Sequence, residues 1–163
     1  MQRLIQHLFY FPWRLRRLFR KSVLEAIERE IDASEAHHSG QIRFAVEANL
    51  GLIPLLRGTT SRARALEVFT NLYVWDTAQN NGVLIYLLLA EQRVEIVADR
   101  GIQAKLENAV WRQICQQMQN TLQQGDFEAA VCSGIRAIDA QLSVHFPATS
   151  GQVNELPNPP VVL

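Results

Sequence analysis

Five polar residues offer the most specific chemistry in this sequence: Asp76, Asn80, Asn81, Asp99 and Arg100. Carboxylate and amide oxygens are hard ligands of the kind Mg²⁺ or Ca²⁺ prefers. An ion held by Asp76, Asn80, Asn81 and Asp99 could polarise a phosphate ester and activate water, with Arg100 steadying the phosphoryl oxygens. The same residues are also turn formers. Asp-Thr and Asn-Asn-Gly satisfy local backbone groups with their own side chains, and Asp99 can pair with Arg100 or cap a following helix. Both readings stay open at this point. No Gly-rich phosphate loop, Gly-x-Ser-x-Gly elbow or Cys/His metal spacing accompanies the cluster. Cys115 and Cys132 fall in helical patterns, where a free cysteine behaves as a small apolar residue. His37, His38 and His145 lie near predicted helix C-termini, where the helix dipole favours positive charge.

A hairpin is what brings the cluster together. Val83 to Leu89 is an unbroken apolar run, suited to a central strand covered on both faces. Arg93 to Asp99 alternates, and a two-residue turn at Glu91-Gln92 pairs Ala90 with Arg93. Leu84 then faces Asp99, Gly82 faces Gly101, and Asn81, Asp99 and Arg100 gather where the central strand begins. Asp76 arrives in the incoming loop.

Upstream, residues 41–50 alternate as a strand with one buried face, Ile42, Phe44, Val46 and Ala48 against Gln41, Arg43, Glu47 and Asn49. Glu47 falls at the far end of the sheet if this strand runs parallel to the central one. Ser22 and Glu25 form a capping-box pattern opening a helix through Leu24, Ile27 and Ile31 that Gly40 ends. Pro54 and Gly58 mark a loop, and Thr60 or Ser61 caps a helix reaching about Tyr73. Two longer helices follow, one carrying Val110 to Leu122 and stopping at Gly125. The other is capped by Asp126 and ended by Pro147. The order is helix, strand, helix, strand, strand, helix, helix. It predicts a three-layer α/β/α sandwich around a small mixed sheet, with a right-handed parallel crossover between the first two strands.

The 163 residues fit one domain, divided as a basic amphipathic segment 1–21, the α/β domain 22–146 and a flexible proline-containing tail 147–163. Charge is balanced overall, with 16 basic and 16 acidic residues, but unevenly distributed. Arg3, Arg14, Arg16, Arg17, Arg20 and Lys21 stand in residues 1–24 without an acid, which leaves the remainder with 10 basic and 16 acidic residues. An acidic body argues against nucleic acid as the partner. The N-terminus has no small-residue cleavage site and no run approaches the ~20 apolar residues of a membrane span, so a cytoplasmic location is expected. Phe9, Phe11, Trp13, Arg14, Arg17 and Lys21 suit contact with a membrane surface, since cationic amphipathic segments lie at the headgroup boundary. The alternative is that the segment docks on the acidic body.

Gly40 to Glu47, Asn81 to Leu87, Val94 to Gly101 and the stretch from Gly125-Asp126-Phe127 to Gly134-Ile135 together resemble the TPM domain family. The family is named for a thylakoid lumenal acid phosphatase, a photosystem II repair protein and a nematode receptor modulator. The resemblance spans roughly residues 22–146 and implies a sheet between helices. It implies two function classes: calcium-binding phosphatases, and assembly or repair factors for membrane complexes. Asp99-Arg100-Gly101 stands where many members have a Gly-Tyr-Gly-like turn, and neither a signal peptide nor a following membrane anchor is evident. The expectation is a non-catalytic accessory or assembly module with a membrane surface and a protein partner. A divalent-metal-dependent phosphatase acting on phosphomonoesters is the alternative. The C-terminal Val161-Val162-Leu163 also suits capture by a β-augmentation domain.

Overall fold

The computed structural model describes residues 2–8, 10, 12–151 and 153–163. Its elements run α1 (Gln2–Leu8), α2 (Pro12–Leu18), α3 (Lys21–Ser34), β1 (Gln41–Glu47), α4 (Leu52–Leu56), α5 (Ser61–Asn71), β2 (Gly82–Leu88), β3 (Arg93–Ala98), α6 (Arg100–Gln103), α7 (Asn108–Gln123), α8 (Phe127–His145) and β4 (Val161–Val162). The sheet order is β3-β2-β1-β4. β1 lies parallel to β2 through the α5 crossover, β2 and β3 are antiparallel, and β4 runs parallel to β1. The α/β sandwich expected from the sequence is therefore present.

Alternation decides which side chains meet which layer. Ile42, Phe44, Val46, Val83, Ile85 and Leu87 pack with Ile27 and Ile31 of α3, Met118 of α7 and Ile135 and Ile138 of α8. Ala45, Leu84, Tyr86, Leu88 and Val97 turn to the other face, against Ala65, Val68 and Phe69 of α5.

Several local expectations change. β1 is buried along its whole length rather than on one face. Each of its polar side chains there has at least one hydrogen-bond partner, as buried polar groups require. Gln41 Oε1 accepts from the backbone N–H groups of Glu155 and Leu156, and Arg43 Nη1 donates to Pro159 O. The hairpin connection is four residues, a 3-10 turn at Leu89–Glu91 followed by Gln92 at φ 47°, so Leu88 pairs with Arg93. The register is thus displaced by two from the tight-turn expectation. An even shift leaves every side chain on its predicted face, and Asp99 stays at the start of β2, its N–H donating to Gly82 O.

The capping box does not form. The backbone N–H groups of Val23 and Leu24 both reach Arg20 O, which starts α3 two residues early and places Ser22 inside the helix. Phe19, stacked on Phe44 at 5.8 Å and edge-on to Phe127 at 6.1 Å, anchors the chain a turn upstream of the expected boundary. α3 also ends at Ser34 rather than Gly40, whose backbone instead lies against Leu142. The segment 52–56, read as loop, is the short helix α4, and α6 is likewise additional. The reading of 147–163 as a flexible tail does not match what is seen: Leu156 is buried beneath α5 and Val161–Val162 pair with Ala45 and Val46.

Candidate functional site

The two ends of the sheet differ in chemistry. At the end where β1 and β2 begin, the polar cluster assembles as the hairpin argument requires. Gly82 and Gly101 make this possible by close approach. A Cβ on Gly82 would stand 1.9 Å from Val74 O, and one on Gly101 2.6 Å from Asn80 O, so the loop before β2 lies directly on the backbone. Gly101 N donates to Asn80 O, and Asn81 N donates to Thr77 Oγ1.

Most of the cluster's polar atoms are spent locally. Asp99 caps α6, its Oδ1 accepting from Arg100 N at 2.7 Å. Arg100 Nε donates to Asn80 Oδ1 at 2.9 Å, and Asn81 Nδ2 donates to Ser39 O at 2.8 Å. Asp76 is exposed, its backbone N–H closing a turn on Tyr73 O. Two oxygens remain: Asn81 Oδ1 and Asp99 Oδ2 are buried without a hydrogen-bond partner among the described residues. No group of three or more His, Cys, Asp or Glu side chains placed to hold a metal occurs among those residues. Asn80, Asn81, Asp99 and Arg100 are thus brought to one place, mainly as turn and cap chemistry. Asp76 instead stands exposed in the loop before them, with no side-chain hydrogen bond to the other four among the described residues.

The opposite end, where β1 and β2 finish, carries the N-terminal segment. Its inner side is built into the domain. Arg3 Nε and His7 Nε2 both lie 2.8 Å from Glu91 Oε1, Arg3 Nη2 donates to Thr59 O, and His7 Nδ1 accepts from Leu50 N. Asn49 Nδ2 donates to Tyr10 O. Leu15 and Phe19 of the next turn are core residues, 4% and 3% exposed. Docking on the body is therefore realised along this face. Arg14 sits over the Tyr10 ring at 5.2 Å, and burial pushes the Tyr10 hydroxyl pKa upward against the opposing effect of Arg14.

The outer side remains open. Ile5, Leu8 and Trp13 are 50%, 58% and 58% exposed, and Leu52, Ile53 and Leu56 of α4 are 54%, 64% and 71% exposed. α4 belongs to the same surface because the contacts from α1 to Leu50 and Thr59 bracket it. Arg14, Arg16 and Arg17 of α2, Arg20 and Lys21 just after it and Arg57 just after α4 are exposed, Lys21 lying 3.6 Å from Glu25. Phe9 and Phe11, also expected here, lie outside the described residues. Sequence reasoning missed α4, although the run Leu52-Ile53-Pro54-Leu55-Leu56 was an apolar signal that a solvated loop does not need.

Beneath this end lies a buried ionic network. Arg64 of α5 grips Glu47 with Nε–Oε2 at 2.9 Å and Nη2–Oε1 at 3.1 Å, and Tyr86 donates its hydroxyl to Glu47 Oε2 at 2.6 Å. Hydrogen bonding to Glu47 holds the Arg64 guanidinium firmly protonated, and burial together with that carboxylate pushes the Tyr86 phenol well above its ordinary range.

A sequence profile of the TPM domain matches residues 15–141. Among solved structures, the NMR structure of the BA42 protein from the psychrophilic bacterium Bizionia argentinensis is similar, with TM-score 0.77 and 28% identity over 87% of this chain and 93% of that one. The N-terminal domain of a protein from P. gingivalis, also solved by NMR, shares the fold with TM-score 0.64 and 18% identity, over 79% of each chain. No curated protein matches the sequence. No helix among the described residues is long and apolar enough to cross a membrane.

Proposed function

We propose, for a chain that belongs to the TPM domain family, a non-catalytic accessory role in which the basic, apolar end of the domain rests on an anionic membrane surface. One observation carries the reading: the outer side of α1, α2 and α4 combines six half-exposed or more exposed large apolar residues with exposed cations on α2 and just after α2 and α4. Scattered exposed apolar residues need no explanation, but a patch of them at one end of a fold does. Each Lys or Arg near an anionic surface contributes about 1 kcal/mol. Trp13 and the aliphatic side chains add burial at the headgroup boundary.

Deleting residues 1–22 is a poor test, because it removes Leu15 and Phe19 from the core. Surface variants are cleaner. The full chain should sediment with vesicles of phosphatidylcholine and phosphatidylserine and hardly at all with phosphatidylcholine alone. Ile53→Ser with Leu56→Ser, and separately Arg14→Glu with Arg17→Glu, should each reduce that binding at least tenfold while leaving the melting temperature within about 3 °C. Unchanged vesicle binding by both pairs sinks the proposal.

A second reading is favoured by the two unpartnered oxygens, Asn81 Oδ1 and Asp99 Oδ2, which could meet a hard divalent cation. The donor set fits an ion held by few protein oxygens and otherwise by water. It assembles no nucleophile or base beside them, so a phosphatase reaction gains no support from it. In a melting screen against Ca²⁺, Mg²⁺ and Mn²⁺, ion binding would raise stability by about 2.7 kcal/mol at a hundredfold excess over Kd. A rise abolished by Asp99→Asn supports the site; no rise with any ion removes it.

A further inference from the structure

One margin of the sheet is closed by side chains instead of a strand. β4 covers β1, whereas β3 forms the other edge. The bond from Asp99 N to Gly82 O sets the phase of the β2–β3 ladder, so Val94, Ile96 and Ala98 turn their backbone N–H and C=O groups outward. Long polar side chains meet them. Gln119 Oε1 accepts from Val94 N at 3.1 Å, Arg62 Nη1 donates to Ile96 O, and Gln103 Nε2 donates to Ala98 O at 2.7 Å. These contacts lie in a groove of about 450 Å³ between β3 and α7.

Two further features point to an occupant. Trp111 lines the groove, is only 7% exposed, and its indole Nε1 is buried without a hydrogen-bond partner among the described residues. Arg62, Arg93 and Arg112 line it as well, against the single lining carboxylate of Glu95, which already accepts from Ser61 at 2.6 Å and Arg93 at 3.3 Å. The groove thus combines a surplus of cations, a wall residue whose indole N–H is buried and unpartnered among the described residues, and a row of backbone groups at strand spacing. It is not a nucleophile's pocket: burial pushes the Cys115 thiol up to about 11, so it stays protonated near neutral pH.

We propose that this groove takes an extended acidic peptide segment of a partner protein, added to β3 as a fifth strand. Main-chain pairing supplies affinity in such additions, and side-chain pockets supply selectivity. Gln119, Gln103 and Arg62 would release the edge and rebond to the incoming chain. Acidic side chains of the peptide would meet Arg93 and Arg112, and a peptide carbonyl would accept from Trp111 Nε1. This deepens the accessory reading by naming where and what it binds. Vesicle sedimentation reads a different surface, the outer side of α1, α2 and α4, so either proposal can fail alone.

The test uses the full chain, labelled with ¹⁵N, titrated with an acetylated and amidated octapeptide of alternating valine and glutamate. A peptide of alternating valine and lysine serves as the control. The acidic peptide should shift the Trp111 indole resonance and the amides of Val94, Ile96 and Ala98, and the basic one should not. Arg112→Glu, at an exposed position, should raise Kd at least tenfold, and Arg112→Ala should raise it less. Equal response to the two peptides, or shifts confined to other surfaces, overturns the proposal. A mass doubled in sedimentation without any peptide, lost on substituting Arg112, also overturns it by assigning the edge to a second copy of the chain.

Discussion

Glu47→Ala tests whether the buried network beneath the basic end holds that end together. The substitution removes an acceptor that receives two bonds from Arg64 and one from Tyr86. Arg64 keeps its 3.0 Å contact with Glu67 and some access to solvent, so it is not left wholly unpaired. Tyr86, fully buried, loses its acceptor outright. An unsatisfied buried polar group costs about 1–3 kcal/mol, and breaking a buried ion pair by removing one partner costs about 3–5 kcal/mol. With Glu67 as partial replacement, the lower part of that range applies, about 3 kcal/mol. For a chain of this size each kcal/mol moves Tm by about 2–4 °C, so a fall of roughly 6–12 °C is expected. Tyr86→Phe, which leaves the Glu47–Arg64 pair intact, should cost only about 1.5 kcal/mol. Guanidinium unfolding of both single variants and the double variant gives the cycle. The two effects should fall short of additivity by at least about 1 kcal/mol, since the groups share one oxygen. A cost below 1 kcal/mol for Glu47→Ala at an unchanged m-value, or strict additivity, refutes the network as drawn.

The remaining predictions concern the parts that surround the two ends. Gly82→Ala should unfold the domain or prevent its expression, since Val74 O stands 1.9 Å from the new Cβ and belongs to backbone; the measurement is yield and circular dichroism. His38 is fully buried at the turn into β1, and burial lowers its pKa against the opposing effect of Asp139, with His37 nearby lowering it further. A histidine favoured neutral in the folded state contributes stability that is present above its ordinary pKa near 6.5 and lost as pH falls through the lower folded value. Tm should therefore drop below about pH 6.5, and His38→Asn should flatten that part of the profile even if it lowers Tm at pH 7. Leu156→Ser should cost about 2–3 kcal/mol by removing a buried side chain. Exchange of the Leu163 amide, which donates to Val46 O, should then become fast while β2 amides stay protected.

How much of this was legible beforehand follows from which forces are local. The apolar run of β2 and the alternation of β3 fixed their faces, and a hairpin between them brings Asn81 and Asp99 together under either register, because a two-residue shift leaves parity unchanged. Other features depend on partners distant in sequence. Gln41, Arg43 and Glu47 made β1 look half-solvated, and what buries them comes from Glu155 and Leu156, from Pro159 and from Arg64. No periodicity in β1 or in the tail announces such a contact. The tail itself, with four prolines between residues 147 and 163, lacked any local reason to order. Its order comes from distant partners: Asn158 Nδ2 reaches Asp32 of α3 and Glu35 at that helix's C-cap, and Val161–Val162 pair with β1. The same logic extends to the other margin. A fold that closes the β1 edge with its own chain, yet covers the β3 edge with side chains (Gln119, Gln103, Arg62, and Cys115 against the Ile96 backbone), treats its two edges differently. Side chains are easier to displace than a strand anchored by Leu156 and Asn158, and that difference makes β3 the edge at which a partner would add.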